Sequence, residues 1–222
     1  MTAPLVPASE PDPMRLAVIR EHAQLRWART VPSRFRHAPT THVHPAVERW
    51  VRTLFDAACA TRTGKLDTGP SLVLTGGTGT GKTHAGWWAI GRLARAGVLA
   101  AWEVTTAADL YAALRPRHGV DSETEFERYA TTPLLMIDDV GAFKRTEWTV
   151  EVDYRLVNYR YNAELPTLVT TNLPAGRTPT MPPQVLTLAD VLEDRVLSRL
   201  SEMAGGDAVA LDGPDRRMGD PR

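Results

Sequence analysis

Cysteine is nearly absent from this sequence. The single cysteine, Cys59, cannot close an internal disulfide, and the six histidines do not combine with it into a four-ligand zinc cluster. The first twenty residues also lack the basic segment and the apolar segment that make up a secretory signal. These absences are typical of a reducing compartment, and we predict a cytoplasmic protein.

Long apolar runs and net charge are missing as well. No run approaches the roughly 18 apolar residues that a transmembrane helix requires, so we predict no membrane span. The 26 basic residues balance the 26 acidic ones, which argues against a uniformly basic nucleic-acid coat but permits a local basic stripe. A length of 222 residues is ample for one α/β domain with extensions, or at most two small domains.

The amino-terminal part is rich in proline and arginine. Residues 1–13 contain four prolines and too little apolar material for a core, which predicts a mobile tail. From Met14 to Thr30 apolar residues recur at helical spacing among arginines, which predicts a basic amphipathic helix that ends before Pro32. An extended connector then leads to a second predicted helix at Ala46–Thr61.

Further along the chain, short apolar runs alternate with helical patterns. This alternation indicates a parallel sheet covered by helices, and a run such as LLMI fits a strand buried on both faces. We predict strands at Ser71–Thr75, Val98–Val104, Leu134–Ile137, Thr167–Thr170 and Ala208–Leu211. We predict helices at Lys82–Ala96, Ala107–Leu114, Ser122–Tyr129, Glu147–Ala163 and Ala189–Met203.

The run LVLTGGTGTGKT carries a phosphate-binding signature. It matches G-x-x-x-x-G-K-[ST] between a predicted strand and a predicted helix. In such a P-loop backbone N–H groups point at the phosphates, Lys82 reaches the β- and γ-phosphates and the Thr83 hydroxyl coordinates Mg²⁺. A dinucleotide loop is excluded because Lys82 takes the sixth position from Gly77, where glycine or alanine is needed. The predicted ATP-binding residues are Gly76, Gly77, Thr78, Gly79, Thr80, Gly81, Lys82 and Thr83.

An apolar strand ending in two acids follows about 55 residues after the P-loop. The run LLMIDD predicts Asp138 as the carboxylate on the magnesium side and Asp139 as the group that polarises the attacking water. The alternative is a solvated strand end without chemistry. The P-loop upstream favours the functional interpretation.

The next apolar run, PTLVTT, leads into Asn172. A polar side chain at the carboxyl edge of the strand beside LLMIDD lies where the γ-phosphate and the attacking water are expected, so Asn172 is a candidate to orient that water. The alternative is that Asn172 caps the following Asn-Leu-Pro turn.

These motifs stand in the order of a known family. The P-loop, LLMIDDVG, RYNAELPTLVTTNLP and DRVLSRLSEM with VALDGPDRR resemble, over residues 31–217, the AAA+ ATPases of the DnaC/DnaI helicase-loader and IstB group. The resemblance implies an α/β P-loop ATPase domain that hydrolyses ATP, with Asn172 as its sensor-1 residue. It also implies that Arg199 is an arginine finger given to a neighbouring subunit, and that Arg217, or Arg216 beside it, is the sensor-2 residue.

The resemblance implies the function of an ATP-dependent helicase loader. ATP and Mg²⁺ would drive a homo-oligomeric ring or spiral that engages single-stranded DNA and a hexameric replicative helicase, because an arginine from a neighbour makes hydrolysis conditional on assembly. The alternative is an IstB-like transposition helper or a replication-initiation ATPase on duplex DNA. Asp139 stands where many members carry glutamate, which leaves open a module that binds ATP and barely hydrolyses it. A small-molecule kinase is disfavoured because no arginine-rich lid is evident, and a GTPase because N/T-K-x-D is absent.

Several further surfaces follow from the same interpretation. The Met14–Thr30 helix either docks on a helicase or packs on its own core. Phe35 and Arg36 are candidates for adenine contact, and Arg199 has the alternative of an ordinary solvated helix arginine. The candidates for a DNA track are Arg145, Arg155 and Arg160 with Tyr159 or Tyr161. The histidines His37, His42 and His44 are expected to be solvated rather than metal-bound, and the predicted organisation is a tail and helix at 1–30, an ATPase domain at 31–217 and a tail at 218–222.

Overall fold

A computed structural model of the chain describes residues 5, 13–36, 43–61, 63–99, 101–117, 119, 121–206 and 208–215. Most of the predicted amino-terminal tail, His37 and His42 lie outside the described residues. So do Arg216, Arg217 and the predicted tail at 218–222. Among the described helices, none is both long and apolar enough to cross a membrane.

The described residues alternate between helices and strands as the sequence predicts. The helices are α1 Pro13–Thr30, α2 Ser33–Arg36, α3 Pro45–Ala60, α4 Lys82–Ala96, α5 Ala107–Leu114, α6 Ser122–Thr131, α7 Glu147–Asn162, α8 Leu188–Val191 and α9 Asp194–Met203. The strands are β1 Leu72–Thr75, β2 Glu103–Thr106, β3 Leu135–Asp138, β4 Thr167–Thr170 and β5 Val209–Ala210.

The five strands form one parallel sheet in the order β2-β3-β4-β1-β5. The order places β4 between β1, which leads into the P-loop, and β3, which ends in the acids. All the carboxyl ends meet at one edge, where ligands bind in open α/β sheets. The predicted α/β fold with a parallel sheet flanked by helices is confirmed.

Each face of the sheet is covered by its own layer of helices. Leu72, Leu74, Met136 and Leu168 belong to a core shared with α1, α3 and α4. The alternate strand positions, among them Val73, Leu135 and Val169, belong to a second core shared with α5, α6, α7 and α9. The period of two along each strand therefore divides the interior into two apolar layers.

Helix α1 packs on α4 with one face only. Ile19 and Ala23 are buried, and the indole of Trp27 meets that of Trp87 edge-on with centroids 5.8 Å apart. The opposite face exposes the apolar side chains of Met14, Val18 and Leu25. The buried face of α1 thus agrees with the prediction in which this helix packs on its own core.

Two predicted elements differ from the structure. The strand predicted at Val98–Val104 begins only at Glu103, because Val98 and Leu99 are buried in the turn that ends α4, where the Val98 amide donates to the Leu93 carbonyl at 3.3 Å. The helix predicted at Ala189–Met203 is divided into α8 and α9. Leu192 and Glu193 are extended between them, and Leu192 is buried in the second core, so burial breaks a helix that contains no breaker residue.

The predicted extended connector also contains the short helix α2. The Phe35 amide donates to the Pro32 carbonyl at 2.9 Å, which closes a helical turn. That turn buries the Phe35 ring against α4, and burial of apolar surface stabilises the fold. An extended connector would not bury the ring in this way.

Candidate active site

The P-loop joins the end of β1 to the start of α4. Gly79 and Gly81 have φ values of +79° and +99°, in the left-handed region that residues with a Cβ rarely adopt. A Cβ on Gly79 would also overlap the carboxylate of Asp215, which lies directly against the loop. Backbone conformation therefore favours glycine at both positions, and a side chain at Gly79 would also displace the Asp215 carboxylate.

Lys82 is buried at the first position of α4. Its Nζ donates to the carbonyls of Gly76 and Gly77 and to Oδ1 of Asn172, each at 2.8 Å. The ammonium is thereby held between the P-loop and the residue that follows β4. Lys82 also lines the cavity described below, so its charge faces the space where phosphates are expected.

The acids that end β3 meet hydroxyl groups from both sides. The Thr83 hydroxyl donates to Oδ1 and Oδ2 of Asp138 at 2.9 and 3.0 Å. Thr170, the last residue of β4, donates its hydroxyl proton to Oδ1 of Asp138. The same Thr170 oxygen accepts the backbone N–H of Asp139 at 3.0 Å.

Asn172 connects Lys82 to the second acid. Its Nδ2 donates to Oδ1 of Asp139 at 2.7 Å, while its Oδ1 accepts from Lys82. Asp139 has a φ of +60°, which is uncommon for a residue other than glycine. Such a conformation persists only where the surrounding structure holds it, and it often marks a functional site.

These groups line one cavity of about 760 Å³ at the carboxyl edge of the sheet. Its volume lies in the range of roughly 300–1,000 Å³ that is usual for small-molecule sites. The lining brings together the predicted residues Thr78, Gly79, Gly81, Lys82, Thr83, Asp138, Asp139 and Asn172. Its other lining residues are Arg34, Phe35, Val43, His44, His84, Ala85, Trp88, Thr106, Thr170, Leu211 and Asp212.

Thr83 and Asp138 have the chemistry of a magnesium site. Mg²⁺ prefers oxygen ligands and is usually bound by one or two carboxylates together with phosphates and water. Asp138 supplies a carboxylate and Thr83 a hydroxyl, already within 3.0 Å of each other. Among the described residues no group of three or more histidine, cysteine or acidic side chains could hold a metal, but a magnesium site of this kind does not need one.

The family profile described as IstB-like ATP binding protein matches residues 46–207, well over half of the chain. The chain belongs to this family. It is therefore an ATP-binding ATPase, and the prediction of a member of the DnaC/DnaI and IstB group is confirmed. No curated protein sequence matches the chain.

Solved structures support the AAA+ fold of this IstB-like ATPase. The crystal structure of the DnaC helicase loader has a TM-score of 0.61 at 22% identity, covering 82% of this chain and 100% of that one. The crystal structure of DnaI has a TM-score of 0.59 at 22% identity, covering 85% and 95%. AMPPCP-bound DnaA from Aquifex aeolicus has a TM-score of 0.57 at 21% identity, covering 78% of this chain and 48% of that one.

The cavity is also lined by aromatic and basic side chains. Phe35 lines it, and the centroid of its ring lies 4.7 Å from that of the His84 ring in an edge-to-face arrangement. Arg36, the other adenine candidate, donates instead to the carbonyls of Val31 and Ala28 at 3.4 and 3.3 Å. Arg34 takes its place in the lining, with its guanidinium 4.6 Å from the Phe35 ring.

Arg199 lies outside this cavity, on α9. Its guanidinium lies over the rings of Tyr154 and Tyr161 of α7, at 5.2 and 5.7 Å from their centroids. Its Nη1 is buried and has no hydrogen-bond partner among the residues that the structure describes. A finger acts on a neighbouring subunit, so the position of Arg199 away from the cavity of its own chain leaves that role a prediction.

One predicted DNA-contacting residue is wrong. Arg160 is 1% exposed, and its guanidinium donates to five oxygens inside the protein, so it cannot reach DNA. Arg155 is at the surface but pairs with Glu123 at 2.8 Å, and Arg145 lies 3.6 Å from Glu193. Tyr159 is exposed, whereas the Tyr161 hydroxyl bonds to Glu202.

Sequence reasoning missed Thr170, although a signal was present. Two threonines end the apolar run PTLVTT immediately before Asn172, and a hydroxyl at the carboxyl edge of a strand can bond to whatever lies beside it. Their partners became visible only with the strand order, which places β4 next to both the P-loop strand and the acid-bearing strand. His44, expected to be solvated, is exposed; its ring also caps α3 by accepting the Ala46 amide at 3.2 Å, and it lines the cavity.

Proposed function

We propose that this ATPase is an ATP-dependent loader of a hexameric replicative helicase. The observation that carries the proposal is the extent of the structural likeness. The fold accounts for all of the DnaC helicase-loader chain and 95% of the DnaI chain, but for less than half of the DnaA chain. The aligned part of this chain thus spans almost the whole of the solved DnaC and DnaI chains, which supports the loader proposal.

The P-loop and Lys82 would hold the triphosphate. The amino end of α4 and the loop amides favour negative charge, and the Lys82 ammonium would exchange acceptors such as the Gly76 and Gly77 carbonyls for phosphate oxygens. Thr83 and Asp138 would hold Mg²⁺, the first directly and the second through water. When bound, Mg²⁺ neutralises charge on the β- and γ-phosphate oxygens.

Asp139 and Asn172 would orient the attacking water. Asp139 lines the same cavity as Lys82, and Asn172 Nδ2 donates to its Oδ1 at 2.7 Å. Because Asn172 also bonds to Lys82, a phosphate that draws Lys82 away would change the partners of Asn172. Asn172 would thus link occupancy of the phosphate site to the position of Asp139.

Arg199 would complete the site of a neighbouring copy, with Arg217 or Arg216 as the sensor-2 residue of its own site. The rings of Tyr154 and Tyr161 lie against the guanidinium of Arg199, and a guanidinium is suited to bind the phosphates of a neighbouring copy. A site completed in this way works only in a homo-oligomer. We therefore propose that ATP drives assembly of a ring or spiral.

Single-stranded DNA is the proposed second partner. A structure of DnaA bound to AMPPCP and single-stranded DNA has a TM-score of 0.55 with this chain at 21% identity. The described surface offers exposed arginines on α1, including Arg20 and Arg29. The exposed apolar face of α1, formed by Met14, Val18 and Leu25, is the proposed contact with the helicase.

The alternative function is that of a transposition helper or a replication-initiation ATPase on duplex DNA. The family profile that matches the chain is described as IstB-like, which favours this alternative. The same ATP site would then serve a different client. The two functions share the P-loop, the acids and Arg199. They differ only in what the assembled ATPase binds.

A mass measurement separates these functions. The protein is mixed with the hexameric replicative helicase of its host, with and without ATP and Mg²⁺, and the masses of the complexes are determined. We expect a helicase complex whose stoichiometry changes with nucleotide. If the helicase is not bound while the protein assembles with ATP on duplex DNA, the loader proposal fails and the alternative replaces it.

The proposed role of Arg199 is tested by mixing two inactive variants. Arg199→Ala keeps its own ATP site but gives no finger, whereas Lys82→Met gives a finger but has no working site. We expect each to be inactive alone and the mixture to regain hydrolysis, because an Arg199 from one copy serves the site of the other. Arg195→Ala, an exposed arginine one turn earlier on α9, is the matched control and should stay active. A mixture no more active than its components would contradict the proposal.

A further inference from the structure

We propose that Thr170 is a positioning residue that sets the geometry of both acids, Asp138 and Asp139. Thr170 is 1% exposed and ends β4, the strand that lies between β1 and β3. Its hydroxyl therefore sits between the P-loop and the acid-bearing turn. The proposal rests on the proposed catalytic roles of the two acids.

A single hydroxyl serves both acids by using both of its hydrogen-bonding functions. A threonine hydroxyl has one proton to donate and lone pairs to accept. Thr170 donates that proton to Oδ1 of Asp138 and accepts the backbone N–H of Asp139 at 3.0 Å. The two bonds run in opposite senses, so the orientation of the hydroxyl is fixed by its neighbours.

The first bond orients the carboxylate that would face magnesium. The last torsion of an aspartate side chain has broad energy wells, so hydrogen bonds decide the orientation of the Asp138 carboxylate. With Thr170 bound on one side, both carboxylate oxygens lie within 3.0 Å of the Thr83 hydroxyl. Thr170 therefore holds Asp138 in register with the other proposed magnesium ligand.

The second bond supports an unfavourable backbone conformation. Asp139 has a φ of +60°, a left-handed conformation that residues with a Cβ adopt at some cost, aspartate at less cost than most. The backbone of Thr170 holds the same turn as its hydroxyl does, because the Val140 amide donates to the Thr170 carbonyl at 2.9 Å. The neighbouring Thr171 hydroxyl donates to the Val140 carbonyl at 2.6 Å. The end of β4 thus clamps the turn at residues 138–140.

This backbone conformation places the Asp139 carboxylate beside Asn172. Without the Thr170 hydroxyl the turn would lose a bond to Asp139, whose φ is positive, and Asp139 would be released toward an ordinary φ. The Asp139 to Asn172 contact at 2.7 Å would then be lost with it. Thr170 would therefore act through its bonds to both acids.

The test compares a variant that removes the hydroxyl with one that keeps it. Thr170→Val preserves the shape of the side chain but can neither donate nor accept, whereas Thr170→Ser retains both functions. Thr75→Val, a buried threonine that ends the neighbouring strand β1, is the matched control for loss of a buried hydroxyl. Thermal unfolding of each variant establishes that it is folded.

Two measurements report on the two bonds. Amide exchange of Asp139 in the nucleotide-free protein should accelerate at least about tenfold in Thr170→Val and remain as in the wild type in Thr170→Ser and Thr75→Val. The Mg²⁺ concentration needed for half-maximal hydrolysis should rise by about tenfold in Thr170→Val, since a hydrogen bond to a charged group is lost. Binding of a fluorescent ADP in excess chelator should change less than about twofold.

The outcomes separate this proposal from the proposed function. Wild-type exchange and wild-type magnesium dependence in Thr170→Val would overturn the positioning role, as would a Thr170→Ser variant that behaves like Thr170→Val. If the exchange result holds while Asp138→Asn and Asp139→Asn both hydrolyse ATP normally, the clamp exists but the catalytic roles of the acids fail. A folded Thr170→Val variant in which only stability changes would also contradict the proposal.

Discussion

Two buried cations lie at opposite ends of the same sheet. At the carboxyl edge the Lys82 ammonium donates to two P-loop carbonyls and to Asn172. At the amino edge the Arg160 guanidinium donates to the carbonyls of Tyr129, Ala130, Thr132 and Pro166 and to the Thr167 hydroxyl, at 2.7 to 3.1 Å. Both charges are thus held chiefly by neutral backbone oxygens.

Lys82 and Arg160 differ in what surrounds the charged group. Lys82 lines a cavity of about 760 Å³, so an incoming oxygen can replace one of its acceptors. Arg160 is 1% exposed and ties the segments that enter β3 and β4 to α7 with a planar group whose donors point in fixed directions. A cation among carbonyls can therefore bind a ligand where a cavity adjoins it, and it stabilises the fold where the protein surrounds it.

Replacement of Arg160 should have the largest effect on folding. Arg160→Leu would leave several buried acceptors without a donor, and we expect a loss of about 3–5 kcal/mol in the free energy of unfolding. Urea denaturation measures the loss. The control is Arg155→Leu, an exposed arginine of the same helix, which should cost less than about 0.5 kcal/mol. Equal losses in the two variants would contradict the assignment of Arg160 to stability.

Replacement of Lys82 should show the opposite balance. Lys82→Met keeps the aliphatic stem and removes the charge, and we expect ATP hydrolysis to fall at least about a hundredfold because the charge on the phosphates is no longer stabilised. The urea midpoint should move little compared with Arg160→Leu. A Lys82→Met variant that unfolds as readily as Arg160→Leu would erase the contrast between the two ends of the sheet.

A half-buried carboxyl group on α7, the helix that also carries Arg160, gives a pH-dependent test of stability. Burial raises the pKa of Asp153 to about 6, while the hydrogen bond from the Tyr111 hydroxyl at 2.6 Å and the charge of Arg145 act in the opposite direction. The folded protein then binds the proton more tightly than the unfolded chain, so Asp153 makes stability fall as pH rises from about 4 to about 6.

The variant Asp153→Asn should remove this component of the pH dependence. Between pH 4 and pH 7 the free energy of unfolding of the variant should rise by about 2 kcal/mol relative to that of the wild type. Urea denaturation at the two pH values measures the change, and nucleotide binding should stay the same since Asp153 lies outside the cavity lining. Parallel pH profiles for the two proteins would refute the prediction.

The contrast between Lys82 and Arg160 also shows what the sequence could reveal. Lys82 was predicted because local spacing defines a P-loop: the strand, the glycines and the helix are consecutive in the chain. The role of Arg160 was predicted wrongly because its partners come from the ends of α6 and the start of β4, and no local pattern marks an arginine that turns inward. The predicted strands and helices were largely confirmed for the same local reason.

The site itself divides in the same way. The motifs that contain Asp138 and Asn172 were recognisable along the chain, whereas the bonds that join them depend on the order of the strands in the sheet. Thr170 reaches both acids only because β4 lies next to β3. Burial of Leu192, which divides α8 from α9, likewise depends on the second core rather than on any helix-breaking residue.

The smallest expected effect concerns the acid that lies on the P-loop. The Asp215 carboxylate contacts Gly79, so its negative charge adjoins the place where the triphosphate is expected. We expect Asp215→Asn to tighten ATP binding about two- to fivefold at low salt, and ADP binding less, because a like charge is removed. Titration with fluorescent nucleotide measures both affinities.

Salt provides the control for that expectation. Between roughly 0.05 and 0.5 M salt the gain should shrink, since screening weakens an interaction between partly exposed charges. Asp212→Asn, in the same segment and on the cavity lining, should give a smaller gain because Asp212 is not the acid in contact with Gly79. Weaker ATP binding in Asp215→Asn would mean that the carboxylate supports the conformation of the P-loop rather than opposing the phosphates, and the binding end of the sheet would then depend on structural contacts as the Arg160 end does.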